Sequence, residues 1–240
     1  MEFFRENSIL LLWTSFLLGF SALLPLINPI GSALVFLGLV GDVPPPVIRS
    51  LARRIAINNI VFLTVIMLLG SAILRFFGIS LPVVQFAGGL VITSLGWAML
   101  NQKDAQASAQ QKKDEADACI IEGPTENIAR PELEQKTFYP FTFPVTSGPG
   151  TLVVTLTLSA HAIAPTLLGS VLSHVGLFLA IVVLSVSVYF CYAYAPRLTR
   201  AVAPTTVHGI LRVMAFIVVC IGVQIAWNGL TALYSQLPAR

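Results

Sequence analysis

Residues 7–41 read NSILLLWTSFLLGFSALLPLINPIGSALVFLGLVG, a run of 35 without one Asp, Glu, Lys or Arg. A helix rises about 1.5 Å per residue and needs roughly 20 apolar residues to cross ~30 Å of hydrocarbon. The part from Ser8 to Val40 would reach roughly 50 Å as one straight helix, too far for a single crossing. Its interior also carries Pro25, Asn28, Pro29 and Gly31. Asn followed by Pro is a helix-start pair, because Asn caps free N–H groups and Pro loses nothing at the first helical position. The run therefore predicts a membrane helix broken near its middle, with a new half-helix starting at Asn28–Gly31.

The rest of the chain agrees on the solvent. It is 56% hydrophobic and 10% charged, where a soluble domain carries roughly a quarter charged residues. Thr137 through Pro196 is a second charge-free run, long enough for two crossings. Six spans result: Ser8–Val40, Ile55–Leu74, Leu81–Leu100, Phe138–Ile163, Leu167–Tyr194 and Val213–Tyr234. Between the third and fourth, Asn101–Lys136 holds 13 of the 25 charged side chains and reads as a polar loop. The N-terminus does not read as a cleavable signal, because its apolar stretch is too long and no basic region precedes it. Cys119, Cys191 and Cys220 have neither metal nor redox spacing. The scattered basic residues form no nucleic-acid face.

Two internal matches point to duplication. Pro25-Leu-Ile-Asn-Pro-Ile-Gly31 lies over Pro144-Val-Thr-Ser-Gly-Pro-Gly150 at an offset of 119. Val83-Val-Gln-Phe86 and Trp97-Ala-Met-Leu100 lie over Val213-Met-Ala-Phe216 and Trp227-Asn-Gly-Leu230 at an offset of 130. The expected fold is an all-α membrane protein of six transmembrane helices, arranged as two inverted three-helix repeats with broken helices one and four. Residues 1–100 form the first repeat, 101–136 the polar loop and 137–240 the second repeat. An odd number of spans per repeat places the second copy upside down. The arm before Pro144 is short, so the fourth span is expected to enter irregularly.

Gly148-Pro149 matches Asn28-Pro29 with a shift of one residue. Each half-helix start presents free N–H groups and a positive dipole end, a combination that suits an anion. Gly31 and Gly150 would let a ligand approach backbone. Paired half-helix starts in an inverted repeat recur as transporter substrate sites; the plainer reading is that Pro and Gly only kink packed helices.

Leu24-Pro-Leu-Ile-Asn-Pro-Ile-Gly31 and Phe143-Pro-Val-Thr-Ser-Gly-Pro-Gly150 resemble the paired NPxG and GPG motifs of the MarC-type integral membrane proteins, a family that includes SnatA-type transporters of small neutral amino acids. The resemblance covers most of the chain. It implies a substrate pocket at Asn28, Pro29, Ile30 and Gly31 with Ser147, Gly148, Pro149 and Gly150. Ser32, Thr146 and Thr151 adjoin it. Asn28, Thr146 and Ser147 would accept from an ammonium group while the half-helix starts hold a carboxylate.

All 11 acidic residues lie outside the spans or at their edges, so no buried carboxylate serves a proton relay or a cationic substrate. His174 is the one histidine inside a span, either functional or bonded to a neighbouring helix. His161 and His208 read as solvated. Asn58, Asn59, Gln85, Gln224 and Asn228 read first as interhelical glue and second as a polar path. Gly88, Gly89 and Gly96 read as close helix packing. No hydrolase or phosphate-binding motif is present, so no enzyme is expected. Partners are the lipid bilayer and a small zwitterionic substrate. No metal or organic cofactor is expected, with H+ and Na+ as candidate coupling ions. The competing readings are an aquaporin-like channel, against which only one motif has Asn-Pro, and a non-transporting scaffold.

Lys and Arg set orientation. The first, third and fifth loops carry 11 of them, and the opposite side carries Arg5, Arg75 and Arg240. The expected location is the cytoplasmic (inner) membrane, with both termini outside and 101–136 cytoplasmic. In a chain lacking Cys119, Cys191 and Cys220, Ser235→Cys should react with an impermeant maleimide on intact cells and Gln110→Cys should not. The reverse pattern overturns the orientation.

Overall fold

The structure is a computed structural model that describes residues 2–41, 43–101, 137–162, 166–197 and 204–235. The 101–136 loop beyond Asn101, and the side chains of His161 and His208, lie outside the described residues. Those that are described form helices without strands. They are α1 (Glu2–Ile27), α2 (Pro29–Val40), α3 (Pro45–Phe76), α4 (Leu81–Asn101), an irregular segment Thr137–Thr146, α5 (Pro149–His161), α6 (Leu167–Ala193) and α7 (Pro204–Ser235).

Five stretches are long and apolar enough to cross a membrane: Ile9–Val40, Pro45–Gly70, Leu81–Asn101, Leu167–Ala193 and Arg212–Ser235. The fourth predicted span, Phe138–Ile163, is not one long helix. Its first part is irregular and its second is the short α5. The cause is local. Pro140 and Pro144 cannot donate backbone hydrogen bonds, and they press Tyr139 and Phe143 into extended backbone at φ −119°, ψ 123° and φ −121°, ψ 125°. Both Tyr139–Pro140 and Phe143–Pro144 are cis. Bonds to carbonyls five residues back hold the segment together: Ser147 N–H to Thr142 (2.9 Å), Thr142 Oγ1 to Thr137 (2.8 Å) and Thr146 Oγ1 to Phe141 (2.7 Å).

The surface is apolar, and the interior mixes apolar side chains with neutral polar ones. Trp13, Leu17, Val61, Leu68, Trp97, Phe190, Phe216 and Trp227 are exposed, whereas Asn28, Ser32, Asn59, Thr142, Thr146, Ser147, Thr151 and Ser185 are buried. Water does not leave so many large apolar side chains exposed, and a lipid solvent does. No charged side chain is buried among the described residues. α6 forms the axis of the core through Leu177, Ile181, Leu184, Val188 and Tyr192, all at most 2% exposed and spaced three or four apart so as to share one face.

Chain direction follows from contacts. A side chain on Gly89 would strike Ala226 and Gly222, one on Gly96 would strike Val219, and one on Gly229 would strike Phe86 and Pro82. Residue numbers fall along α7 as they rise along α4, so these helices are antiparallel. Gly176 lies against Leu12 and Ser15, and Gly19 against Leu177 and Ala180, so α1 and α6 run parallel. Ser147 bonds to Asn59 and Ser159 to the Met67 carbonyl, so the segment with α5 runs parallel to α3. Arg49 and Arg197 both approach the Tyr194 ring, at 5.9 and 5.8 Å from its centroid. The start of α3 and the end of α6 therefore share one basic end of the bundle.

At the α4–α7 crossing the glycines are required by space rather than by torsion. An added Cβ at Gly222 would sit 2.5 Å from the Thr93 backbone nitrogen. Gly222→Ala should lower thermal stability in detergent by roughly 1–3 kcal/mol, as overpacking does. Gly38→Ala, where an added Cβ meets nothing within 4 Å, should be neutral or stabilising by up to about 1 kcal/mol. Equal effects in the two variants would contradict this reading of the interface.

Candidate functional site

Asn28 alone separates α1 from α2. It takes the left-handed conformation at φ 43°, ψ 70°, the one positive φ among described non-glycine residues. Asn tolerates this better than most side chains, because its short amide bonds locally. Here Oδ1 accepts from Gly31 N–H at 3.2 Å, and the backbone keeps Asn28 N–H to Leu24 and Ser32 N–H to the Asn28 carbonyl, each 2.9 Å. The Ser32 hydroxyl donates into the carbonyls left at the end of α1, those of Ile27 and Asn28. Pro29 has no N–H. Among the described residues, no partner is found for the Ile30 N–H.

The second break is built differently and ends alike. Gly148 is extended at φ −79°, ψ −179° and offers no side-chain cap, and Pro149 starts α5. Thr151 N–H bonds to the Gly148 carbonyl at 3.0 Å and Leu152 N–H to the same oxygen at 3.4 Å. No partner is found among the described residues for the Gly150 N–H. Each half-helix thus carries a free donor at its second residue, Ile30 in one and Gly150 in the other.

Side chains from four elements join the two breaks. Tyr192 Oη lies 2.8 Å from Thr146 Oγ1, beside the second break, and also bonds to Ser32 at the first. Two turns nearer the start of α6, Ser147 Oγ donates to Asn59 Oδ1, and Asn59 Nδ2 donates to Ser185 Oγ at 2.9 Å. Asn59, Thr146, Ser147, Ser185, Ser32 and Tyr192 are all completely buried. The result is a neutral network of hydroxyls, one amide and the carbonyls of both breaks, without a carboxylate, lysine, arginine or histidine.

Of the residues expected to line a pocket, Asn28, Pro29, Gly31, Ser32, Thr146, Ser147, Gly150 and Thr151 are buried at the two breaks, Ile30 and Gly148 are half-buried, and Pro149 is exposed. The two glycines differ. A Cβ on Gly31 would lie 2.4 Å from Asn28 Nδ2, so its open face already receives the capping amide. A Cβ on Gly150 would meet Leu26, Ile92 and Leu95 at 3.3–3.8 Å. Asn59, which reads in the sequence chiefly as glue, is the central member of one bridge. Tyr192 and Ser185 carry no signal in the sequence, because nothing in an apolar run marks which turn faces the breaks.

The other candidates lie elsewhere. Gln224 bonds to Asn228 one turn away on an exposed face at 2.9 Å, so this pair forms no interior path. His174 is half-buried, with Nδ1 2.8 Å from the Ser170 carbonyl of its own helix. Gly88 packs on Val153. A cleft of about 60 Å³ lies between Ser15, Leu18, Leu158, Ala162, Ser173 and Leu177. It is removed from the breaks, and it has room for only a few waters.

The conformation of Asn28 sets a test. Asn28→Ala loses the cap and keeps the left-handed strain, costing roughly 2–3 kcal/mol of stability. Asn28→Gly loses the cap but fits the backbone, costing less than about 1 kcal/mol. Unfolding midpoints in detergent should fall in the order wild type, Gly, Ala; an alanine variant as stable as the glycine variant would exclude this account of the break.

The chain matches the family model described as MarC family integral membrane protein over residues 13–234. It is similar to the inner membrane protein MarC of Salmonella typhimurium strain LT2, 29% identical over 224 residues, which is 88% of this chain and 92% of the relative. The Salmonella paratyphi A protein of that name is 28% identical over 224 residues, with the same coverage. That of Escherichia coli O1:K1 is 26% identical over 213 residues, 89% of this chain and 92% of the relative. No solved structure matches the chain. Broken apolar helices, the NPxG and GPG breaks and the match across nearly the whole sequence agree: the chain belongs to the MarC family of integral membrane proteins.

Proposed function

We propose that this protein transports a small, net-neutral amino acid or similar zwitterion across the cytoplasmic membrane, and that it is not an enzyme. The observation that carries the reading is the meeting of two half-helix starts through one buried, uncharged hydrogen-bond network. The free Ile30 and Gly150 N–H groups suit a carboxylate. The Ile27 and Asn28 carbonyls, with Ser32, Thr146 and Ser147, suit an ammonium group. Both ends of a zwitterion then find partners, while a surplus charge of either sign finds none and keeps its desolvation cost.

The architecture supports alternating access. α1 runs with α6, the segment with α5 runs with α3, and α4 opposes α7. That is the set of pairings two inverted three-span units would give, one over residues 1–100 and one over 137–240. On this reading the chain passes the bilayer six times, the fourth pass being the irregular segment with α5. The relatives carry inner membrane in their names, and the basic end marked by Arg49 and Arg197 would face the cytoplasm. Opposed repeats rocking around a fixed central site give such transporters their cycle. H+ and Na+ remain the candidate coupling ions.

Reconstitution into proteoliposomes tests this directly. Labelled serine should accumulate under an imposed ion gradient, glycine and alanine should compete, and lysine and aspartate should not. Competition by lysine as strong as that by alanine would require a buried acid that the network does not contain, and would overturn the reading.

A further inference from the structure

Three aromatic rings close the basic side of the paired breaks. Phe36 on α2 stacks on Tyr192 of α6, with centroids 4.7 Å apart and planes 18° from parallel. Phe141 of the irregular segment meets Phe36 edge-on at 5.5 Å and 75°. Phe36 and Tyr192 are fully buried and Phe141 is 2% exposed. Their position along the bundle is fixed by their neighbours. Tyr192 lies two residues before Tyr194, the ring approached by Arg49 and Arg197. Phe36 lies four residues before the end of α2, which leads into the start of α3, and Phe141 is placed by its contact with Phe36. All three therefore stand between the breaks and the basic end. The breaks themselves lie on their far side, at Asn28 and Gly148.

The stack draws rings from both halves that an inverted repeat would provide: α2 in the first, the irregular segment and α6 in the second. It is also tied to the breaks. Tyr192 supplies both a ring to the stack and a hydroxyl to Thr146, 2.8 Å away. A buried phenol in hydrocarbon keeps its hydrogen bond at some cost if broken. Ring and hydroxyl together make the closed stack dependent on the position of the half-helix starts.

We propose that Phe36, Tyr192 and Phe141 form a gate on the basic side, latched shut by the Tyr192 hydroxyl. The gate rests on the transport reading for its purpose. A substrate seated at the breaks competes for the Thr146 and Ser32 hydroxyls, withdraws them from Tyr192 and so loosens the ring. The gate thereby opens toward the basic side when the site is filled. Tyr192 acts as a positioning residue, since its hydroxyl reports the state of the breaks to the stack.

The test reads access rather than transport. Ser147→Cys, in a chain lacking Cys119, Cys191 and Cys220, places a reporter thiol at a fully buried position next to Thr146. Arg197→Cys in the same background marks the basic side in inside-out and right-side-out vesicles. With the gate intact, the thiol introduced at position 147 should resist a small impermeant methanethiosulfonate from both sides. Phe36→Ala removes the central ring and should raise labelling from the basic side roughly a hundredfold, with no change from the other. Tyr192→Phe should raise it about three- to tenfold, the worth of one latch bond. This variant is safe to fold, because Thr146 still donates to Phe141 and Ser32 still donates to Ile27 and Asn28. Leu177→Ala, a comparable loss of packing beside the distant cleft, should leave basic-side labelling unchanged. The gate is refuted if Tyr192→Phe labels no faster than its parent, or if Leu177→Ala opens the basic side as much as Phe36→Ala. Because no substrate is added, side-specific labelling of the Ser147→Cys chain together with no serine accumulation by the chain that keeps Ser147 would sink the transport reading and leave the gate standing.

Discussion

A backbone N–H or C=O in hydrocarbon has no water to turn to, so a break in a membrane helix must bring its own partners. That constraint organises this molecule. At the first break the missing bonds are replaced from within the motif, by the Asn28 amide and the Ser32 hydroxyl. At the second, Gly148 brings no side chain, and the preceding segment answers with hydroxyls reaching five residues back. Burial then does the rest. The irregular backbone is covered by α2, α3 and α6, and Ser32, Asn59, Ser185 and Tyr192 on those helices are buried beside it.

Much of this is legible in the order of the residues alone. Charge-free runs of known length give spans, since an ion in hydrocarbon is costly at any position. Asn-Pro and Gly-Pro give half-helix starts, because each uses a property of one residue's own backbone. Both signals are local. The short arm before Pro144 points to irregularity in the fourth span, and two prolines four residues apart supply the cause. What the sequence hides is rotational. Asn59, Ser185 and Tyr192 sit among residues of similar hydropathy, and only the packing of α3 and α6 decides which turn faces the breaks. The Gln224–Asn228 pair shows the converse, polar residues of similar appearance whose helix turns them outward. Gly31 is a subtler case. Its lack of a side chain reads as room for a ligand, yet the amide three residues earlier fills that room.

Small residues explain how the helices come close enough for the network to form. There is no hydrophobic drive between helices in lipid, so close backbone approach and van der Waals contact carry the association. Gly89, Gly222 and Gly229 bring α4 and α7 together at a distance no Cβ allows, and Gly19 and Gly176 do so for α1 and α6. These contacts bring backbone against backbone. The contacts around the breaks are the opposite, short segments held by hydroxyls and stacked rings.

On the transport reading, the chemistry around the breaks limits what can occupy them. Every polar group in the network is neutral, and each hydroxyl both donates and accepts, so the network can redistribute its bonds around a guest without leaving a charge uncompensated. A dipolar guest suits such a lining: its two charges are met by donors at one end and acceptors at the other, and its net field is small. The same hydroxyls bond to protein partners when no guest is present. Tyr192 completes the logic. A serine or threonine can always fall back on its own helix carbonyl, but a tyrosine hydroxyl stands too far from its backbone to do so. Its partners Thr146 and Ser32 both come from other elements, so its position must change when those partners are taken by something else.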